Sequence, residues 1–194
     1  MIFMTKWLAK AKAADTRMAL IIYYLFALLD VYFVMFLFPP KGVKTAVQQT
    51  LINSDSTGLH IFTGATAIIG GVVTLVVGLF ITVYLEFILY YIVLTITKTQ
   101  ANPTTNKLIK RGLYISYGIS GVVDAIITMG TVLLKVPLTS TPYFIVSGCF
   151  DTVVTYGLIY GFIKYLAKQP KQATWFASIG VVLNIGYLIV RAII

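Results

Sequence analysis

Acid is the scarcest chemistry in this chain. Six carboxylates stand against fifteen Lys and Arg, and charged residues together make 11% of the 194, where soluble domains carry about 25%. One cysteine, Cys149, and one histidine, His60, argue against a disulfide framework and against a zinc or haem site built from Cys and His. No metal and no cofactor is therefore expected. Phosphate loop, nucleophile elbow and HExxH sequences are also missing. No catalytic residue is expected, and the chain reads as something other than an enzyme.

What is abundant is apolar. Hydrophobic residues make 59% of the chain and the mean hydropathy is +0.92, more than one soluble core of this size can hide. Lipid accepts such side chains freely but requires every backbone polar group to be paired internally, which leaves helices or a closed barrel. Barrel strands alternate apolar and polar residues, whereas the apolar runs here are continuous. The sequence predicts an all-α integral membrane protein, a single polytopic bundle of about five transmembrane helices whose first partner is the lipid bilayer. The net charge of +9 does not indicate nucleic acid, because the basic residues sit at the ends of the apolar runs.

The predicted spans cover residues 18–38, 74–97, 112–134, 142–163 and 173–194. The first stops at Pro39-Pro40, which cannot continue a helix. Residues 59–97 are too long for one ordinary span and too short for two with a turn. Residues 59–73, with Gly70-Gly71, are expected as an interfacial or re-entrant lead-in, against one long tilted helix as the competing reading. Residues 1–17 mix bulky apolar side chains with spaced lysines, as an amphipathic segment in the headgroup layer would. With no small-residue cleavage site after it, the first span is expected to be an uncleaved anchor.

Orientation follows from the basic residues. Eleven lie on one side: Lys6, Lys10, Lys12 and Arg17, then Lys98, Lys107, Lys110 and Arg111, then Lys164, Lys168 and Lys171. Four lie on the other: Lys41, Lys44, Lys135 and Arg191. The positive-inside rule then predicts a cell-membrane protein with its N-terminus cytoplasmic and its C-terminus external.

The acids that remain are placed regularly. Asp30, Glu86, Asp124 and Asp151 fall one in each of the first four spans, and the fifth holds Asn184. The distances to the nearest cytoplasmic basic residue are 13 positions from Arg17, 12 from Lys98, and 13 from each of Arg111, Lys164 and Lys171. In helices that is one depth, about 18–20 Å in and near the bilayer centre. A charged carboxylate there costs at least ~2.5 kcal/mol, and no Lys or Arg shares the depth. The layer is expected either to be hydrogen-bonded glue between helices, with Tyr90 near Glu86 and with Ser147 and Thr155 beside Asp151, or to be a proton or cation site. Gly157 and Gly161 form a GxxxG, and Ser116 with Ser120 and Gly121 with Ala125 form similar small pairs, all expected at helix contacts. Tyr114, Tyr143 and Tyr165 read as an interfacial belt, and Cys149 as a small buried apolar side chain.

A Gly-rich second segment (Gly64, Gly70, Gly71, Gly78), a polar loop, and the stretch Asn106-Lys-Leu-Ile-Lys-Arg-Gly-Leu-Tyr-Ile-Ser-Tyr-Gly118 follow one another. In this the chain resembles the Yip family of five-span membrane proteins, named for interaction with Rab-type GTPases, and especially its short bacterial members. The resemblance covers about residues 59–194 and implies a membrane-organising or trafficking-type role without catalysis, through protein partners or a homo-oligomer in the membrane. A proton- or cation-coupled transporter or channel using the acidic layer is the alternative. An accessory subunit of a larger membrane complex is the third.

Overall fold

Helices account for every element in the computed structural model, which describes residues 13–32, 57–134 and 141–193. They are α1 (Ala13–Tyr32), α2 (Thr57–Ile96), α3 (Pro103–Leu133), α4 (Thr141–Gly161) and α5 (Pro170–Ile193), with a π turn at Phe162–Leu166 closing α4. Four stretches are long and apolar enough to cross a membrane: Val76–Ile96, Pro103–Leu133, Tyr143–Leu166 and Pro170–Ile193. A shorter apolar stretch, Leu20–Asp30, lies in α1. The fold is an all-α membrane bundle. The tail 1–12, residues 33–38 of the first predicted span, Pro39-Pro40, Lys41, Lys44 and Lys135 lie outside the described residues.

Two boundaries differ from expectation. Residues 59–73 are not a separate or re-entrant piece, because α2 is one unbroken 40-residue helix, about 60 Å long. Gly70-Gly71 is too weak a break. A glycine costs a helix about 1 kcal/mol, less than the several backbone hydrogen bonds that a break there would give up at about 0.5–1.5 kcal/mol each. Thr74 Oγ1 also donates back to the Gly70 carbonyl at 2.8 Å. The third helix starts at Pro103 rather than 112. Asn102 caps it, its side chain accepting from the Thr104 N–H at 3.0 Å, and Pro103 supplies a first-turn residue that needs no donor. Lys107, Lys110 and Arg111 therefore ride on helix and not on loop.

α1 packs chiefly on α3, α4 on α5, and α3 joins the two pairs, with α2 touching α1, α3 and α5. The tightest packing gathers Val83, Tyr90 and Val93 of α2, Leu113 of α3, Ile159 of α4, Ile163 of the π turn, and Phe176 of α5. This core sits toward the end that carries the two short connections, and each connection is bonded to a helix beyond those it joins. Gln172 Nε2 donates to Thr99 Oγ1 at 2.7 Å and Tyr90 donates to Gln169 Oε1 at 2.7 Å. Outward, Leu25, Leu85, Ile92, Val153, Val182 and Val190 are exposed. So much bare apolar surface is covered by lipid, the environment the helices' length and composition require.

Small residues make the close approaches, Gly121 of the expected Gly121–Ala125 pair among them, whereas Gly157 of the GxxxG does not. A side chain at Gly121 would run into the Tyr23 ring of α1, and one at Gly180 into the Tyr156 ring of α4. At Gly157 a Cβ would meet nothing within 4 Å. Gly157 shares an exposed face of α4 with Val146, Cys149, Phe150 and Val153, whereas Gly161 is buried. The GxxxG is therefore not a helix contact at its first glycine. Cys149 is likewise exposed and not buried; on this face lipid receives a small apolar side chain as readily as a protein core does.

Candidate functional site

The five polar residues of the predicted layer fall into two neighbouring groups. In the first, Glu86 of α2 accepts hydrogen bonds on Oε1 from Tyr117 of α3 at 2.7 Å and from Tyr156 of α4 at 2.6 Å. Asn184 of α5 donates through Nδ2 to the Tyr156 hydroxyl at 2.9 Å and to the Gly180 carbonyl at 3.2 Å. Three helices thus meet at one carboxyl group, and α5 joins them through Tyr156. Tyr156 is the hub: Gly180 lets its ring reach α5, so its hydroxyl can donate to Glu86 and accept from Asn184. Glu86 is 9% exposed, and its second oxygen, Oε2, is buried without a partner.

In the second group, Asp151 of α4 accepts a hydrogen bond from Ser120 of α3. Thr155 Oγ1 donates to Ser120 Oγ at 2.6 Å and stands 3.4 Å from the same Asp151 oxygen. Asp124 lies close enough to Asp30 and to Asp151 for their charges to interact. Asp30 keeps one oxygen, Oδ1, buried and unpaired. Among the described residues no three acidic, cysteine or histidine side chains gather closely enough to hold a metal ion.

Two expected partners are different. Tyr90 turns away from Glu86 to Gln169, and Ser147 donates to the Phe144 carbonyl at 3.4 Å and not to Asp151. Four residues apart on one helix sets a shared face, but the neighbouring helix decides which hydroxyl arrives first. Tyr117, Tyr156 and Ser120 were not expected as partners of these acids. A signal for the α3–α4 part was present in spacing alone. Ser116, Ser120, Asp124 and Thr128 recur every fourth residue, as do Tyr143, Ser147, Asp151 and Thr155, which draws one polar stripe down each helix. The stripes run antiparallel and touch at Ser120–Asp151 and at Thr128–Tyr143, 3.1 Å apart.

Basic and aromatic side chains mark the ends. Lys164 donates to the Tyr160 hydroxyl at 2.9 Å and lies 5.2 Å from the Tyr165 ring centre, and Arg191 sits 4.1 Å over the Phe144 ring. Neither a protein-family model, nor a curated protein, nor a solved structure matches this chain.

Proposed function

We propose that this is a non-catalytic, multi-pass protein of the cell membrane with a membrane-organising role of the kind the Yip resemblance implies, its N-terminus cytoplasmic and its C-terminus external. The observation that carries the reading is that one oxygen of Glu86 and one of Asp151 accept hydrogen bonds from hydroxyls of other helices. Acids bonded in this way tie helices together and fix their rotation, as polar glue does in lipid. The wide apolar surface of the bundle offers contact area to membrane partners or to a second copy. Reconstitution into sealed vesicles tests the reading. With a pH gradient or a cation gradient imposed, no flux above that of empty vesicles is expected.

A second reading rests on a separate observation. Asp30 Oδ1 and Glu86 Oε2 are buried without partners, and unpaired carboxyl oxygens in the middle of a membrane are where a proton would be carried. Flux in the same vesicles that disappears in Glu86→Gln or Asp151→Asn would replace the organising role with proton-coupled transport. The absence of a three-acid cluster among the described residues favours a proton over a metal cation in that case.

A further inference from the structure

At the end of the bundle bearing the 97–102 connection, α1, α2 and α3 enclose an open cleft of about 430 Å³. Its rim is cationic from two helices: Arg17 of α1 and Lys107, Lys110 and Arg111 of α3. Its floor is apolar, with Leu20 and Phe80, and the Tyr114 ring meets Phe80 edge to face at 5.8 Å. Among the residues whose side chains are described, no acidic one lines it and none of the four cations forms an ion pair.

Its depth is set by the acidic layer. Arg17 and Arg111 each lie 13 positions from a mid-membrane aspartate, about 20 Å along a helix. The hydrocarbon half-thickness is about 15 Å, so the rim stands among the lipid headgroups while Leu20, Phe80 and Tyr114 reach inward from it. A free anion would match only the rim. We infer that the cleft binds one anionic glycerophospholipid, its phosphate held by Arg17, Lys107, Lys110 and Arg111 and the start of an acyl chain laid over Leu20 and Phe80. Guanidinium groups from two helices present paired donors to phosphate oxygens, and basic pockets between membrane helices suit such headgroups. A lipid bound there also bridges α1 to α3, the two helices whose cations it neutralises.

Native mass spectrometry of the full chain, released from micelles holding equal phosphatidylglycerol and phosphatidylcholine, tests this. One phosphatidylglycerol is expected to be retained in preference to phosphatidylcholine. Loss of each cation should weaken retention about fivefold, and Lys107→Gln with Arg111→Gln together about thirtyfold. Arg17→Gln, on the other helix, should act alike, and Lys171→Gln, which is not among the residues lining the cleft, should not. Added salt should weaken retention. If the cleft variants unfold, the unsubstituted protein still decides the matter through the lipid comparison. Equal retention of the two lipids would overturn the inference. So would equal loss in Lys171→Gln, or displacement of the lipid by millimolar inorganic phosphate, which would mark a free-anion site.

Discussion

Lys98 and Lys168 occupy the same place in two different connections, each the residue past a helix end with left-handed backbone, φ 51° and 55°. After α2 the Lys98 N–H donates to the Thr95 carbonyl and the Thr99 N–H to the Leu94 carbonyl, the paired closure of a Schellman ending. After α4 the same closure is widened by the π turn, with the Ala167 N–H reaching Phe162 and the Gln169 N–H reaching Ile163. Glycine is the residue usually found there, since a Cβ in that conformation costs about 1–2 kcal/mol. Lys98→Gly and Lys168→Gly should each stabilise the bundle by about 0.5–1 kcal/mol, part of the gain being offset by glycine's freedom in the unfolded chain. Unfolding in mixed micelles measures this, and a loss at both sites would contradict it.

The glycines divide into two kinds with opposite outcomes. Gly121→Ala and Gly180→Ala push a methyl group into the Tyr23 and Tyr156 rings and should destabilise by about 1–3 kcal/mol. Gly157→Ala meets open space and should be neutral, or stabilising by up to about 1 kcal/mol through helix propensity. The same melts rank all three.

At the polar hub, Glu86→Gln keeps an oxygen for Tyr117 and Tyr156 and should shift stability by less than about 1 kcal/mol. Glu86→Leu strands both hydroxyls and should cost about 1–3 kcal/mol. Tyr156→Phe combined with Asn184→Ala should be less harmful than the sum of the two changes, because one bond is lost in both. A double-mutant cycle reads this directly, and strict additivity would remove Tyr156 from the centre of the network.

How much of this was legible beforehand depended on whether one helix or two set the outcome. The common depth expected for Asp30, Glu86, Asp124, Asp151 and Asn184 was read by counting along single helices; of the five, Glu86 and Asn184 share one group through Tyr156. The rotation of one helix against another left no comparable trace. Tyr90 and Ser147, rightly spaced from their acids, found partners elsewhere, and Gly157 proved to face outward because Val146, Cys149 and Val153 share its side. The early start of α3 was written in Asn102-Pro103-Thr104, but a span sought by hydropathy alone begins only where the basic residues stop.

Topology supplies the fourth prediction. A reporter placed in the 97–102 connection and one fused after Ile194 should fall on opposite faces of the membrane, the first cytoplasmic and the second external, following the basic residues. Protease protection in sealed vesicles decides it. Both reporters on one face would remove one crossing from the count.

The two polar stripes of α3 and α4 work like the scales of a vernier. Their marks recur every four residues on both helices, so Ser120–Asp151 and Thr128–Tyr143 come into register together or not at all. A slip of α3 along α4 by one or two residues would set every mark against a blank in surroundings that offer no water to repair the loss. Marks meet marks again only after four residues, about 6 Å. The two stripes therefore select alignments about 6 Å apart, and the one adopted pairs Ser120 with Asp151 and Thr128 with Tyr143.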